Sequence, residues 1–152
     1  MRCTRFAAVG LVATTLAASG CGSSSKPLTR AELTAKADAI CKTVSAKLAS
    51  RTKRGVNSQH ALALLAPELA SFEQSALAAL GKLVPPTELE GDWKQFVTGA
   101  QTLAENTVKL GEYAKANNLK GAKSLITSSE TVQQQMTATA KRDGFIACEQ
   151  VA

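Results

Sequence analysis

The residues of this 152-residue chain that could do chemistry are four cysteines, one histidine and a scatter of carboxylates and cations. His60 has no Cys or carboxylate at a metal-ligand spacing nearby, which makes it an exposed residue at a helix start, not a ligand or a base. No Ser or Cys nucleophile has a His partner other than His60, and neither a G-x-S-x-G elbow nor a phosphate loop is present. Glu88, Glu90 and Asp92 cluster where a helix should begin, so their charge answers the positive end of the helix dipole. No residue is therefore assigned a catalytic, metal-ligating or cofactor-binding role, and the expectation is a protein that is not an enzyme. Arg51, Lys53, Arg54, Lys115, Lys120 and Lys123 should gather at one end of the fold and are the candidate contacts for a polyanion. Cations at helix C-termini are also explained by the dipole alone, and the chain's few aromatics do not interleave with them for base stacking, so nucleic acid is not an expected partner.

Only the elements that position these residues can give them meaning, and the first is an address. Arg2 and Arg5 precede a mostly apolar run over residues 6–18, which ends in Ser19-Gly20-Cys21. A basic start, a short apolar stretch and small terminal residues are the parts of a secretory signal, and the run is too short to span a bilayer. Ala17-Ala18-Ser19-Gly20-Cys21 resembles the lipobox of bacterial membrane lipoproteins, with Ala18 where that family usually carries Leu. The resemblance implies that the Cys21 thiol takes a diacylglycerol and becomes the new N-terminus, so that residues 1–20 leave. The alternative is an ordinary secreted protein cleaved after an Ala-x-Ala-like site. Residues 21–28 then form a short flexible tether, and the lipid on Cys21 is the membrane contact on the extracytoplasmic face of the cell membrane. Losing Arg2 and Arg5 leaves 16 cations against 12 acids, an ordinary balance for a small domain.

From residue 29 onward the pattern is helical. Thr29-Arg30-Ala31-Glu32 has the spacing of a capping box. Leu33, Ala37, Ile40, Val44 and Leu48 follow at helical spacing and fade into Arg51-Thr52-Lys53-Arg54-Gly55, a C-terminal signal. A second series runs through Leu62, Leu65, Leu69, Phe72, Ala76, Ala79 and Leu83 to Pro85-Pro86, and it keeps its phase across Pro67, which favours one helix kinked or re-started there. The third, Leu89, Trp93, Phe96, Ala100, Leu103, Thr107, Leu110 and Ala114, is the most regular. The fourth, Leu119, Ala122, Leu125, Ile126, Val132, Met136 and Ala140, is broken by the polar stretch Thr127-Ser128-Ser129-Glu130. Short connections between long helices force antiparallel neighbours, and one apolar stripe per helix needs the others to cover it. The expected fold is all-α, an antiparallel up-down four-helix bundle over residues 29–152, with a three-helix bundle and a frayed fourth segment as the alternative. Trp93, Phe96 and Phe72 fall on the stripes and should be core.

With Cys3 lost with the signal and Cys21 lipidated, Cys41 and Cys148 remain, and in an exported domain a leftover pair is most simply a disulfide. Two buried free thiols are the alternative. A redox-active pair is disfavoured because the two have no Cys-x-x-Cys spacing. If the fourth helix returns beside the first, Cys41 stands about 16 Å along the bundle from its end. The five residues from Asp143 to Ala147 can reach about 17 Å when extended. The tail must then turn at Gly144, climb back, and press Phe145 and Ile146 against the core.

The opening Thr29-Arg30-Ala31-Glu32 with Ala37-Asp38-Ala39-Ile40-Cys41, the break at Pro85-Pro86 and the late Cys148 look like small Ala-rich helical lipoproteins of actinobacteria. That resemblance implies a fold and a disulfide and no activity. The functional expectation is a lipid-anchored interaction, scaffold or sensor module of the cell envelope, meeting an envelope protein or polymer. The alternative is a carrier whose thin, Ala-rich bundle holds a small apolar ligand.

Overall fold

The computed structural model describes residues 26–53 and 58–150, so the expectations for Cys3, the signal and Cys21 lie outside the described residues. Four helices follow one another: α1 (Arg30–Thr52), α2 (Gln59–Leu80), α3 (Glu90–Lys115) and α4 (Leu119–Asp143). Short 3-10 turns at Thr87–Leu89 and Cys148–Gln150 precede α3 and end the described residues. No described helix is long and apolar enough to cross a membrane.

Each helix starts where a side chain can satisfy the first free N–H groups. Thr29 and Glu32 form the capping box in both directions, the Thr29 N–H donating to the Glu32 carboxylate at 2.8 Å and the Glu32 N–H donating to Thr29 Oγ1 at 3.3 Å. Those bonds, the backbone one first, hold the Glu32 carboxyl below its ordinary range. Ser58 caps α2 through the Ala61 N–H, and Asn118 caps α4 through the Gly121 N–H. The second helix is continuous across Pro67, whose ring lies on the exposed side. It stops at Leu80, three residues before the apolar series ends at Leu83. The fourth helix runs unbroken through Thr127–Glu130, and within it the hydroxyls donate to carbonyls of the preceding turn, Thr127 to Lys123 and Ser128 and Ser129 to Leu125, instead of capping or ending the helix. A frayed fourth segment is thereby excluded.

The side-chain links fix the topology. Lys47 reaches Phe72 and Arg51 reaches Glu68; Ala66 abuts Gly111 and Glu73 meets Thr107; Asn106 bonds Ser129 and Asp92 bonds Arg142. In each pair of consecutive helices the residue numbers rise on one side as they fall on the other, so the neighbours are antiparallel and the protein is a four-helix bundle. The closest packing is between α2 and α3, then between α3 and α4, while α1 leans on α2 and on the C-terminal 3-10 turn. Helices α1 and α4 barely meet along their length.

The consequence is a core whose large side chains gather at one end. Leu33, Leu89, Phe96, Phe145 and Cys148 are the largest fully buried side chains. Trp93, Phe96 and Phe145 form an aromatic trio with ring centroids 5.6–5.9 Å apart, Phe145 meeting Trp93 edge-on. The tail reaches this core as its spacing requires. Gly144 turns in the left-handed region at φ 84°, where a side chain would be strained, and its N–H closes α4 on the Ala140 carbonyl. Asp38 accepts the Ala147 N–H at 2.9 Å, and Cys148 comes beside Cys41 with a Cα separation of 5.1 Å and the sulfurs at disulfide-bonding distance. Ile146 departs from expectation. It is 68% exposed, because the turn closed by the Cys148 N–H on the Phe145 carbonyl points Phe145, Ala147 and Cys148 inward and leaves Ile146 on the outer side.

Candidate functional site

Beyond Phe96 the bundle opens. Ile40, Val44, Leu48, Leu103, Leu110 and Leu125 sit on the stripes that should be covered, yet each is only half-buried. Leu119 and Ile126, also expected in the core, are 67% and 47% exposed. The reason is the arrangement of α1: without α4 against it, the stripe of α1 faces a gap, and side chains on α3 and α4 lose their fourth wall. All four helices line an inner cavity of about 80 Å³, reaching from Cys41 and Phe96 to Leu48 and Leu103. It shares the walls Leu48, Glu73 and Leu103 with an outer groove of about 380 Å³ between α3 and α4, lined also by Thr107, Leu110 and Leu125.

Glu73 stands where cavity and groove meet. Its Oε1 accepts from Thr107 Oγ1 at 3.1 Å, and its Oε2 is buried without a hydrogen-bond partner. Burial raises the carboxyl above its ordinary range, and the bond from Thr107 offsets part of that rise. Thr107 has one hydrogen for two acceptors, since the Leu103 carbonyl lies at the same 3.1 Å. An ionised Glu73 takes that hydrogen; a protonated Glu73 donates to Thr107, which then turns its own to Leu103. In both states Oε2 lacks a protein donor. Two other polar atoms share that condition among the described residues, Ser45 Oγ and Asp143 Oδ2, and Asp143 lies beside Arg142 at the closed end.

Sequence reasoning passed over Glu73, although a signal for it exists. The stripe through Leu62, Leu65, Leu69 and Phe72 is only half of the inward face of α2. The buried residues are Ala63, Ala66, Ala70 and Leu80, and with Glu73 and Leu77 they make a second series at 3-4-3-4-3 spacing. Glu73 is the single charged residue in it. Alanine weighs little in a hydropathy pattern, yet it is what lets α2 approach α3 closely: a Cβ added at Gly111 would lie 2.6 Å from the Ala66 Cβ. The large residues of α2 mark the expected core, and the small ones hold its close contact with α3.

The other expected sites fall as follows. Cys41 and Cys148 are together. His60 is exposed beside the N-terminal end of α2, and no group of three His, Cys, Asp or Glu among the described residues could hold a metal. Asp92 of the acidic cluster pairs with Arg142 at 2.7 Å. Of the cationic set, Arg51 pairs with Glu68 at 2.7 Å and lies over Phe72, so it is not a free contact, and Phe72 itself is half-buried under Lys47 and Arg51 instead of deep in the core. Lys53, Lys115, Lys120 and Lys123 are exposed, and Arg54 lies outside the described residues.

No protein-family model, no curated protein and no solved structure matches this chain.

Proposed function

We propose that the chain is a lipid-anchored extracytoplasmic protein that catalyses no reaction and holds a small apolar molecule in the half-open groove of its bundle. One observation carries the reading: the apolar stripes are buried around Phe96 and Phe145, and half-exposed around a lined space beyond them. Leaving such side chains in water forgoes roughly 25 cal/mol for every Å² that closure would bury. A groove of a few hundred Å³ with apolar walls and a few polar groups at fixed points has the composition of a small-molecule site. A scaffold or sensor acting through its outer surface gives no reason for that interior gap. The lipid anchor rests on the lipobox resemblance at Cys21, and it would keep the groove close to a membrane from which apolar molecules partition.

Native mass spectrometry of the protein taken from its own host tests the carrier reading. The expected result is a bound small molecule lost under organic extraction, and a clean unliganded mass would overturn it. Ala100→Phe, which fills the inner cavity, should reduce the bound fraction while leaving the helical circular dichroism intact. For the anchor, Cys21→Ala should move the protein out of the membrane fraction; persistent membrane association would sink the lipoprotein reading.

A further inference from the structure

We propose that the groove selects an amphiphile with a cationic, hydrogen-bond-donating end, such as a long-chain alkylammonium, seating that end at Glu73 and Thr107 and its apolar body along Leu48, Leu103, Leu110 and Leu125. The inference rests on the carrier reading and adds the ligand's chemistry.

Three observations point the same way. First, Glu73 occupies a position in the Ala63–Leu80 series where every other member is apolar, and a carboxylate on an apolar face is costly unless something answers it. Thr107 answers one oxygen, and the other has no protein donor. An ammonium supplies both the missing donor and the opposite charge, and charge-assisted bonds of this sort are the strong ones. Second, the described lining of cavity and groove holds two acids, Glu73 and Glu130, and no Lys or Arg. That bias is notable in a chain whose cations outnumber its acids by 18 to 12. The nearest cations described on α1, Lys47 and Arg51, are turned to the Phe72 ring and to Glu68. An anionic head such as a fatty-acid carboxylate would therefore meet like charge, with no Lys or Arg in the described lining to offset it. Third, Leu103 and Leu110 lie about one turn to either side of Thr107 on α3, so that with Leu48 and Leu125 they wall an alkyl chain as it leaves Glu73. Burial holds the Glu73 carboxyl above its ordinary range, in keeping with a carboxylate that has no counter-charge among the described residues.

All described residues of the packed core lie between Leu28 and Cys148, so the chain from Lys26 onward carries that core and can be titrated without detergent. Isothermal titration calorimetry with dodecylammonium, dodecanol and dodecanoate, each below its micellar concentration, compares three heads on one tail. Dodecylammonium should bind at least about tenfold more tightly than dodecanoate. Glu73→Gln should shrink that preference to about threefold or less, with dodecanol unchanged. Glu112→Gln, at an exposed position outside that lining, should leave the ranking in place. Equal binding of all three, or a preference for dodecanoate, would overturn the cationic head while the carrier reading stood. Binding of none would remove the carrier reading as well. A preference that survives Glu73→Gln would show that the selectivity comes from elsewhere and overturn the assignment to Glu73.

Discussion

Joining Cys41 to Cys148 should be the largest single contribution to the stability of this bundle, and its removal can be worked out from the fold. The two residues are 107 apart in sequence, and a link across a loop of that length removes chain entropy worth about 4.8 kcal/mol at room temperature. Unfolding of about 120 ordered residues carries an entropy of about 250 cal/mol/K, so the loss corresponds to a fall of roughly 15–20 °C in Tm. The native side should change little on removal. Phe145 remains held by Trp93 and Phe96, and Ala147 by Asp38, so the tail stays docked and the effect comes from the freer unfolded chain. The assay is thermal unfolding by circular dichroism of the wild type and of the Cys41→Ala/Cys148→Ala double variant, with and without reductant. Non-reducing peptide mapping of the wild type should give a single cross-linked pair. If the double variant melts within about 5 °C of the oxidised wild type, the entropic argument fails. Free thiols at both positions in protein recovered from the host would refute the link itself.

Other expected outcomes follow from the packing. Gly111→Ala should destabilise by about 1–3 kcal/mol although Ala is the better helix former, because its Cβ would stand 2.6 Å from that of Ala66 and force α2 from α3. Gly91→Ala, with nothing within 4 Å, should gain up to about 1 kcal/mol, and chemical denaturation of both variants checks the contrast. Phe145→Ala should cost about 3–5 kcal/mol in the same assay. Ile146→Ser, at an exposed position one residue on, should stay within about 0.5 kcal/mol of wild type. Glu73 has a folded pKa raised by burial, so its favourable contribution is present below the ordinary carboxylate pKa and is lost as pH rises through the raised value. Glu73→Gln should therefore raise Tm at neutral pH, with the gain over wild type shrinking as the solution is acidified. A gain that grows towards low pH would contradict the burial argument.

The sequence by itself determined the local structure. Helix starts are written in single side chains that satisfy free N–H groups, which is why Thr29 with Glu32, Ser58 and Asn118 mark three of them and Gly144 marks an end. The meeting of Cys41 and Cys148 was likewise legible, because once the end of α4 is set level with the start of α1, helical rise and the reach of five residues bring the pair within range. Tertiary structure decided how far the bundle closes and which face of α2 is buried. Periodicity says that a stripe exists and not how completely its neighbours cover it; here α1 stands against α2 and the C-terminal turn, and barely meets α4. Hydropathy also ranks Leu62, Leu65 and Leu69 above Ala63, Ala66 and Ala70, whereas backbone approach at Gly111 favours the smaller side chains. Glu73 became visible only through that reversal, since a carboxylate beside a leucine stripe reads as solvated until the alanine face next to it is seen to be the buried one.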